Sequence, residues 1–557
     1  MENKPTRKVK AFVYLPIFFA LVMALGVYVG IILSYNRLPE VVDNKFRSIG
    51  FGKYDKINDI LNFVYESYVD TVNKDWLTEE TIRTLLRNLD PHSVYIPASE
   101  FRAMNDPLLG SFEGIGIEFN MVNDTVVVIS PLVGGPSEKA GIQAGDRIVK
   151  VDGEDIAGVK MSTDEIVRRL KGPKDTEVDV TVYRHQLDEL FDFTITRDKI
   201  PSFSVDIAYM LDEQTGYIKI SRFAVTSHQE FIAAFERLKR EGLEKLVLDL
   251  RGNGGGILDA AVSIADEFIA PGDLIVYTQG HKRPKKTAHA RRNGRFESQP
   301  LVVLIDEWSA SASEIIAGAV QDNDRGLVIG RRSFGKGLVQ EQVMLSDGSA
   351  VRLTVARYYT PSGRSIQSPY DTGTDKYYDE FMQRFIDGEH ESVDSIKQND
   401  TLKYTTRNGR VVYAGGGIMP DIFVPFDSGE RTPFFNMVAG RGLVYRFAFN
   451  HADNNRDVLS QRYGSAQNFV KTFRISDSLF NDFLRFIKDN GVEPDMDNMT
   501  KSRPLIEMQI KAYIGRNIFG NEAFFPVLNA KDRTLNEALQ ALEPDNYEMH
   551  LKPEAEQ

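Results

Sequence analysis

Between about residues 200 and 430, short uninterrupted apolar runs alternate with longer stretches whose apolar positions recur every three or four residues. "TGYIKIS", "KLVLDL", "PLVVLID" and "GLVIG" read as strands, with "SHQEFIAAFERLKREG", "LDAAVSIADEFI" and "SASEIIAGAVQDN" as helices between them. Apolar strands separated by amphipathic helices predict a sheet covered on both faces, and so an α/β domain over 199–430. Ahead of it, "TVVVISP", "GDRIVKVDG" and "EVDVTVYR" are short β-rich runs broken by turn signals and by one helical stretch, "STDEIVRRLKG", which opens on a serine or threonine cap. They predict a compact β-rich module over 106–198. Residues 39–105 read as a mainly helical packing arm, interrupted by the proline of "LDPHSVYIP", and residues 431–557 as a helical extension of unassigned role.

The N-terminus has a different pattern. Ala11 to Leu33 is uncharged for 23 residues, enough to cross roughly 30 Å of hydrocarbon as a helix. Lys4, Arg7, Lys8 and Lys10 precede it against the single acid Glu2. The positive-inside rule then predicts a cytoplasmic tail over 1–10, a transmembrane anchor over 11–33 and the remainder on the extracytoplasmic, periplasmic side. A cleaved signal peptide is the competing reading, although its apolar region is normally shorter and is followed by a small-residue site.

Composition removes several chemistries. The chain has no cysteine, so thiol nucleophiles, Cys-ligated zinc, iron–sulfur clusters and disulfides drop out. Its eight histidines are scattered and show no metal-ligand spacing, so no metal and no cofactor is expected. A net charge of −12 and the lack of a basic stripe with interleaved aromatics argue against nucleic acid. The basic run "HKRPKKTAHARRNGR", 281–295, reads as a solvated loop.

Candidate chemistry gathers at the carboxyl ends of the strands, where ligand sites of α/β sheets lie. "KLVLDLRGNGGGILDAA" passes from strand through a glycine loop into a helix, presenting backbone N–H groups suited to a phosphate or an oxyanion. It fails the dinucleotide spacing, because Ile257 stands where a third glycine is needed. Gly330–Gly337 matches a phosphate loop only up to Lys336 and runs into a strand-like segment, which leaves an ATPase as a weak alternative. "SASASEIIAG", 309–318, sets three serines at every second position, and Ser311-Ala-Ser-Glu314 fits a helix capping box. If Lys336 is a base, Gln340 on the same face of an extended segment could orient its amine, and burial beside Phe334 could lower its pKa. Serine, lysine base and backbone oxyanion donors make a nucleophilic hydrolase of the Ser-Lys type.

The chain resembles the carboxyl-terminal processing peptidases of the tail-specific serine protease family. The resemblance is carried in order by "LDPHSVYI", "FEGIGIEF", "GPSEKAGIQAGDRIVKVDG", "GYIKISRF", "LVLDLRGNGGG", "SASASEIIAGAVQD", "FGKGLVQ" and "GGGIMPDI", across about 50–430. It implies Ser311 as nucleophile, Lys336 as general base and Gln340 as the residue orienting the lysine, with an oxyanion hole from the backbone of Ala312 and of Gly254, Gly255 or Gly256. It implies a crotonase- or ClpP-like α/β core with an inserted PDZ domain, whose loop and strand Gly114, Ile115, Gly116 and Ile117 would take a protein C-terminus. Trp308 departs from the glycine usual in relatives. The expected partners are proteins with exposed or unfolded C-termini, the membrane through the N-terminal helix, and a second copy or an adaptor protein. A non-catalytic PDZ adaptor is the alternative function.

Overall fold

The computed structural model describes residues 20, 22–28, 56–132, 134–184, 187–397, 400–426 and 429–553. It divides into two units, Met1–Glu80 and Thr81–Gln557. The expected membrane-spanning helix over 11–33 is corrected: among the described residues no helix is long and apolar enough to cross a membrane. The eight helical positions described in that stretch, 20 and 22–28, account for about 12 Å of axis at 1.5 Å per residue, against the roughly 30 Å of a hydrocarbon core. The rest of 11–33 and the tail expected over 1–10 lie outside the described residues.

In the larger unit the alternation of apolar runs and amphipathic stretches becomes a six-stranded sheet. Its order is Val205–Met210, Thr215–Ile220, Lys245–Asp249, Leu301–Ile305, Leu327–Gly330, Ile422–Phe423, parallel after the antiparallel first pair. Period-two side-chain alternation decides which core each residue joins. Leu246, Leu248, Val303 and Ile305 face the helices Ser227–Glu241, Leu258–Ala265 and Ala312–Asp322. Val247, Val302 and Leu304 face the opposite way, onto Leu535, Ala538 and Leu542. The second face is therefore covered by the C-terminal helices, Arg533–Ala541 among them.

A second sheet carries the other wall of the site. The long strand Ala350–Tyr359 pairs along one edge with Val94–Ile96 and Leu274–Gln279, and along the other with Leu338–Met344. The β-rich module is an antiparallel sheet in the order Ile117–Met121, Val126–Pro131, Arg147–Val151, Glu177–Arg184, Glu189–Thr196, closed over its own core by the helix Thr163–Leu170. A two-stranded ladder, Ser111–Gly114 with Asp198–Pro201, joins its entry and exit. Residues Pro433–Gly440 to Asn521–Asn529 are helical around a phenylalanine-rich core of their own.

Candidate active site

The serine loop follows the buried strand Leu301–Ile305. Two of its three serines are consumed by structure. Ser309 Oγ donates to Leu250 O at 2.8 Å and accepts from Asp306 N–H at 2.9 Å, while Ser313 Oγ donates to Asn253 O at 2.8 Å. Both are fully buried. Ser311 is partly exposed and lines a cavity of about 910 Å³. Its backbone has φ 55° and ψ −109°, a region that residues with a Cβ avoid at a cost of about 1–3 kcal/mol. Strain of this kind persists only where the surroundings over-determine it, and here they do.

The main restraint is Glu314, whose carboxylate is fully buried and accepts four hydrogen bonds. Oε2 takes the N–H of Ser311 at 2.8 Å and of Lys336 at 2.9 Å; Oε1 takes the N–H of Gly335 at 2.8 Å and Ser333 Oγ at 2.5 Å. Burial pushes this carboxyl up, and the four donors oppose that by favouring its ionised form. A second bridge is Tyr358, whose hydroxyl lies 2.8 Å from Lys336 O and 3.1 Å from Ser311 O. One carboxylate and one phenol thus hold the backbones of residues 311 and 336 in a common frame.

The glycine loop closes the third side. A Cβ at Gly255 would stand 2.8 Å from Ser311 Cβ and 3.1 Å from Ala312 N, and its φ is +101°, so the close approach requires glycine. Gly255 N–H is spent on Asn253 Oδ1 at 2.8 Å. The N–H groups of Gly254, Gly256 and Ala312 have no partner among the described residues. An oxyanion hole therefore has Ala312 plus Gly254 or Gly256 to draw on, with Gly255 as the spacer that brings them to the serine.

Lys336 lines the same cavity. Burial is the largest cause that lowers its pKa; the nearby Arg352 guanidinium adds to it, and Glu314 and Asp90 oppose it. Its Nζ lies 3.2 Å from Gln340 Oε1, although the strand begins only at Leu338 and is bulged between Val339 and Gln340. The Gln340 amide is fixed from behind by donating to His92 O. His92 is buried next to Lys336, which brings its pKa down to about 4, so it stays neutral at working pH. Asp90 anchors that segment, accepting from His92 N–H and Ser93 N–H, each at 2.8 Å, and from Thr354 Oγ1 at 3.0 Å. Glu314 as a joint, Tyr358 and the His92 support were not in the sequence reading; the only trace of the last was the quoted run "LDPHSVYI".

In the β-rich module Gly114 ends one strand and Ile117 begins the next, an edge strand paired on one side only. Ile115 is buried, and its carbonyl accepts from Ser137 N–H and Ser137 Oγ at 3.0 and 2.7 Å. Gly116 has φ +73° and packs on Ile200. The N–H groups of Ile115 and Gly116 have no partner among the described residues. Trp308 is half-exposed and packs edge-on against Phe381 at 5.5 Å, outside the reacting cluster.

This fold and these residues define a serine-type peptidase carrying a PDZ domain. Residues 214–375 match the model of peptidase family S41, 127–184 that of the PDZ domain, and 434–520 that of a family of unknown function. The chain is 39% identical over 317 residues to the carboxy-terminal-processing protease of Bartonella bacilliformis, covering 56% of this chain and 72% of that one. It is 32% identical over 353 residues to the carboxy-terminal processing protease CtpA of Bacillus subtilis, covering 63% and 75%. Among solved structures it is similar to a photosystem II D1 C-terminal processing protease, with 34% identity, 55% and 83% coverage and a TM-score of 0.33. The chain belongs to the carboxy-terminal processing protease family.

Proposed function

We propose that the protein is an endopeptidase that captures protein C-termini on its PDZ domain and cuts with Ser311 as nucleophile and Lys336 as general base. The observation carrying this reading is that a strained serine and a buried, pKa-lowered lysine line one cavity while a shared carboxylate, Glu314, grips the backbone amides of both. Neutral Lys336 takes the Ser311 Oγ proton as oxygen attacks the substrate carbonyl. The resulting oxyanion meets the free N–H groups of Ala312 and of Gly254 or Gly256, and the lysine returns the proton to the leaving amine. Water, deprotonated by the same lysine, then releases the acyl-serine. Gln340, held by His92 O, keeps the amine in place.

The unpaired edge of Ile117–Met121 suits an added substrate strand, and the free N–H groups of Ile115 and Gly116 suit a terminal carboxylate. The test is to incubate the chain and its Ser311→Ala form with an unstructured protein, with and without an amidated C-terminus. Fragments from the Ser311→Ala form at the wild-type rate would sink the dyad; equal binding of free and amidated tails would sink the capture.

A further inference from the structure

The cavity that holds Ser311 and Lys336 is lined by the basic residues Arg283, Lys286, Arg291 and Arg352 besides Lys336 itself, against two acidic ones, Asp259 and Glu341. The basic run 281–295 is not simply a solvated loop: Lys286–His289 forms a strand against Leu274–Gln279, and Arg283, Lys286 and Arg291 line the cavity. Arg283 is ion-paired with Glu341 on the facing strand. Lys286 and Arg291 are exposed, and their side chains form no ion pair among the described residues, although the Arg291 backbone N–H donates to Asp266 Oδ1 at 2.7 Å.

Arg352 is the unusual member. It lies on Ala350–Tyr359 opposite Gln342 of the neighbouring strand, and it lines the cavity together with Ser311, Lys336 and Gln340. Its charge is felt at Lys336, which places it within electrostatic reach of the amine. The side chain is half-buried, yet Nη2 meets only neutral amide oxygens, Gln342 Oε1 at 2.9 Å and Asn105 Oδ1 at 3.5 Å. Among the described residues no carboxylate pairs with it. A guanidinium has five donors in a planar fork that matches a carboxylate, and taking it partly out of water without a counter-ion is costly. Such a group also works against the fold by adding like charge next to a lysine. Both costs are offset when an anion arrives.

We propose that Arg352 is a specificity-determining residue, which takes a peptide carboxylate into a subsite next to the Ser311–Lys336 pair, with Lys286 and Arg291 drawing anionic substrate to the rim. The inference rests on the reading of that pair as the reacting one. The carboxylate has two sources, an acidic side chain close to the scissile bond or the terminal carboxylate of a short tail, and the chemistry of the fork is the same for both.

Three versions of one cleavable peptide separate them: glutamate near the scissile bond, glutamine in its place, and the glutamine version with an amidated terminus. Dissociation constants are measured on the full chain carrying Ser311→Ala, so that binding is read without turnover, and kcat/KM on the active chain. The expected result is that glutamate, or else the free terminus, improves Kd and KM about tenfold over its neutral counterpart. In Arg352→Gln the ratio should fall to about one, in Arg352→Lys it should survive in part, and in Arg352→Glu a lysine peptide should become the preferred one. A terminus effect that persists in Arg352→Gln belongs to the PDZ loop and counts against the subsite. A wild-type chain that distinguishes neither pair, or an Arg352→Gln chain with an unchanged glutamate ratio, overturns the proposal without any variant of the dyad being needed. If instead Ser311→Ala still cleaves, the dyad fails while the binding ratios stand by themselves.

Discussion

The same four-residue signature occurs twice in this chain, and at only one of the two places does it do more than start a helix. Ser162-Thr-Asp-Glu165 opens the PDZ helix Thr163–Leu170, and Ser311-Ala-Ser-Glu314 opens the core helix Ala312–Asp322. At Ser162 the backbone is extended, φ −69° and ψ 149°, and the hydroxyl accepts from Glu165 N–H at 3.2 Å. Glu165 turns outward to Arg168 and Arg169. At Ser311 the backbone is strained and Glu314 turns inward, collecting four donors from two loops. The half-buried Glu165 leaves its serine simply to cap; the buried Glu314 closes a capping box with Ser311 and, with further donors arriving from residues 333–336, also holds that serine in a strained posture that capping does not require. The signature marks a helix start in both places, and the long-range partners decide what the serine is for.

The sharpest way to break the comparison is at the serines. Ser311→Ala should lower kcat/KM by at least about a thousandfold, the scale of losing a catalytic nucleophile. Ser311→Gly should be equally inactive and yet more stable than Ser311→Ala by about 1 kcal/mol, because glycine accepts a φ of 55° that alanine does not. Thermal unfolding of the two variants reads this directly. If the glycine form is the less stable, the strain assigned to residue 311 is not there.

Next comes the base. Lys336→Arg should be as inactive as Lys336→Ala, since a guanidinium stays protonated and cannot accept the serine proton. In the wild type, kcat/KM should climb with pH as Lys336 loses its proton. The midpoint should fall below the ordinary lysine value of about 10.4, because burial and Arg352 disfavour the ammonium more than Glu314 and Asp90 favour it. His92, neutral above about pH 4, contributes no ionisation near neutrality. A profile that follows the histidine range would remove Lys336 from the role.

Much of this was legible from the chain, and the rest failed for identifiable reasons. Leu246-Val-Leu-Asp and Leu301-Val-Val-Leu-Ile are apolar on both faces, so a covered sheet followed from them at once. What the local pattern could not give was the cover on one face, Leu535, Ala538 and Leu542, which comes from far along the chain. The family resemblance singled out Ser311, Lys336 and Gln340, but periodicity alone had left capping and chemistry open at Ser311. Tyr358 and His92 bear on the site only because Ala350–Tyr359 pairs with both Val94–Ile96 and Leu338–Met344, a register no local pattern encodes. At 11–33 an uncharged run met the length criterion for a membrane helix, and the described helical positions there do not amount to one.

The glutamates separate by a smaller margin. Glu314→Gln replaces one acceptor oxygen by a donor amide facing donors already in place, and should cost about 3 kcal/mol of stability. It should also lower kcat more than it raises KM, since what loosens is the frame between residues 311 and 336. Glu165→Gln loses only solvent-screened pairs to Arg168 and Arg169 and should stay within about 0.5 kcal/mol of wild type. Equal penalties from urea unfolding of the two variants would mean that the inward turn of Glu314 does not carry the difference.

The smallest effect belongs to Ser162, and it serves as the control for all the others. Its hydroxyl satisfies one N–H of a helix whose other restraint is the packing of Ile166 and Leu170 into the module core. Removing the cap in Ser162→Ala should cost about 1 kcal/mol, and because that helix opens locally before the whole chain unfolds, the loss should appear in amide exchange at Thr163–Leu170 as roughly a fivefold acceleration. The helix Ala312–Asp322 should exchange as in wild type, and Ser311 chemistry on a peptide too short to reach the PDZ loop should be unaltered. Should Ser162→Ala instead depress turnover of that short peptide as Ser311→Ala does, the two serines would not differ in kind, and the inward glutamate, the strained φ and the free N–H groups around Ser311 would have to be explained as capping after all.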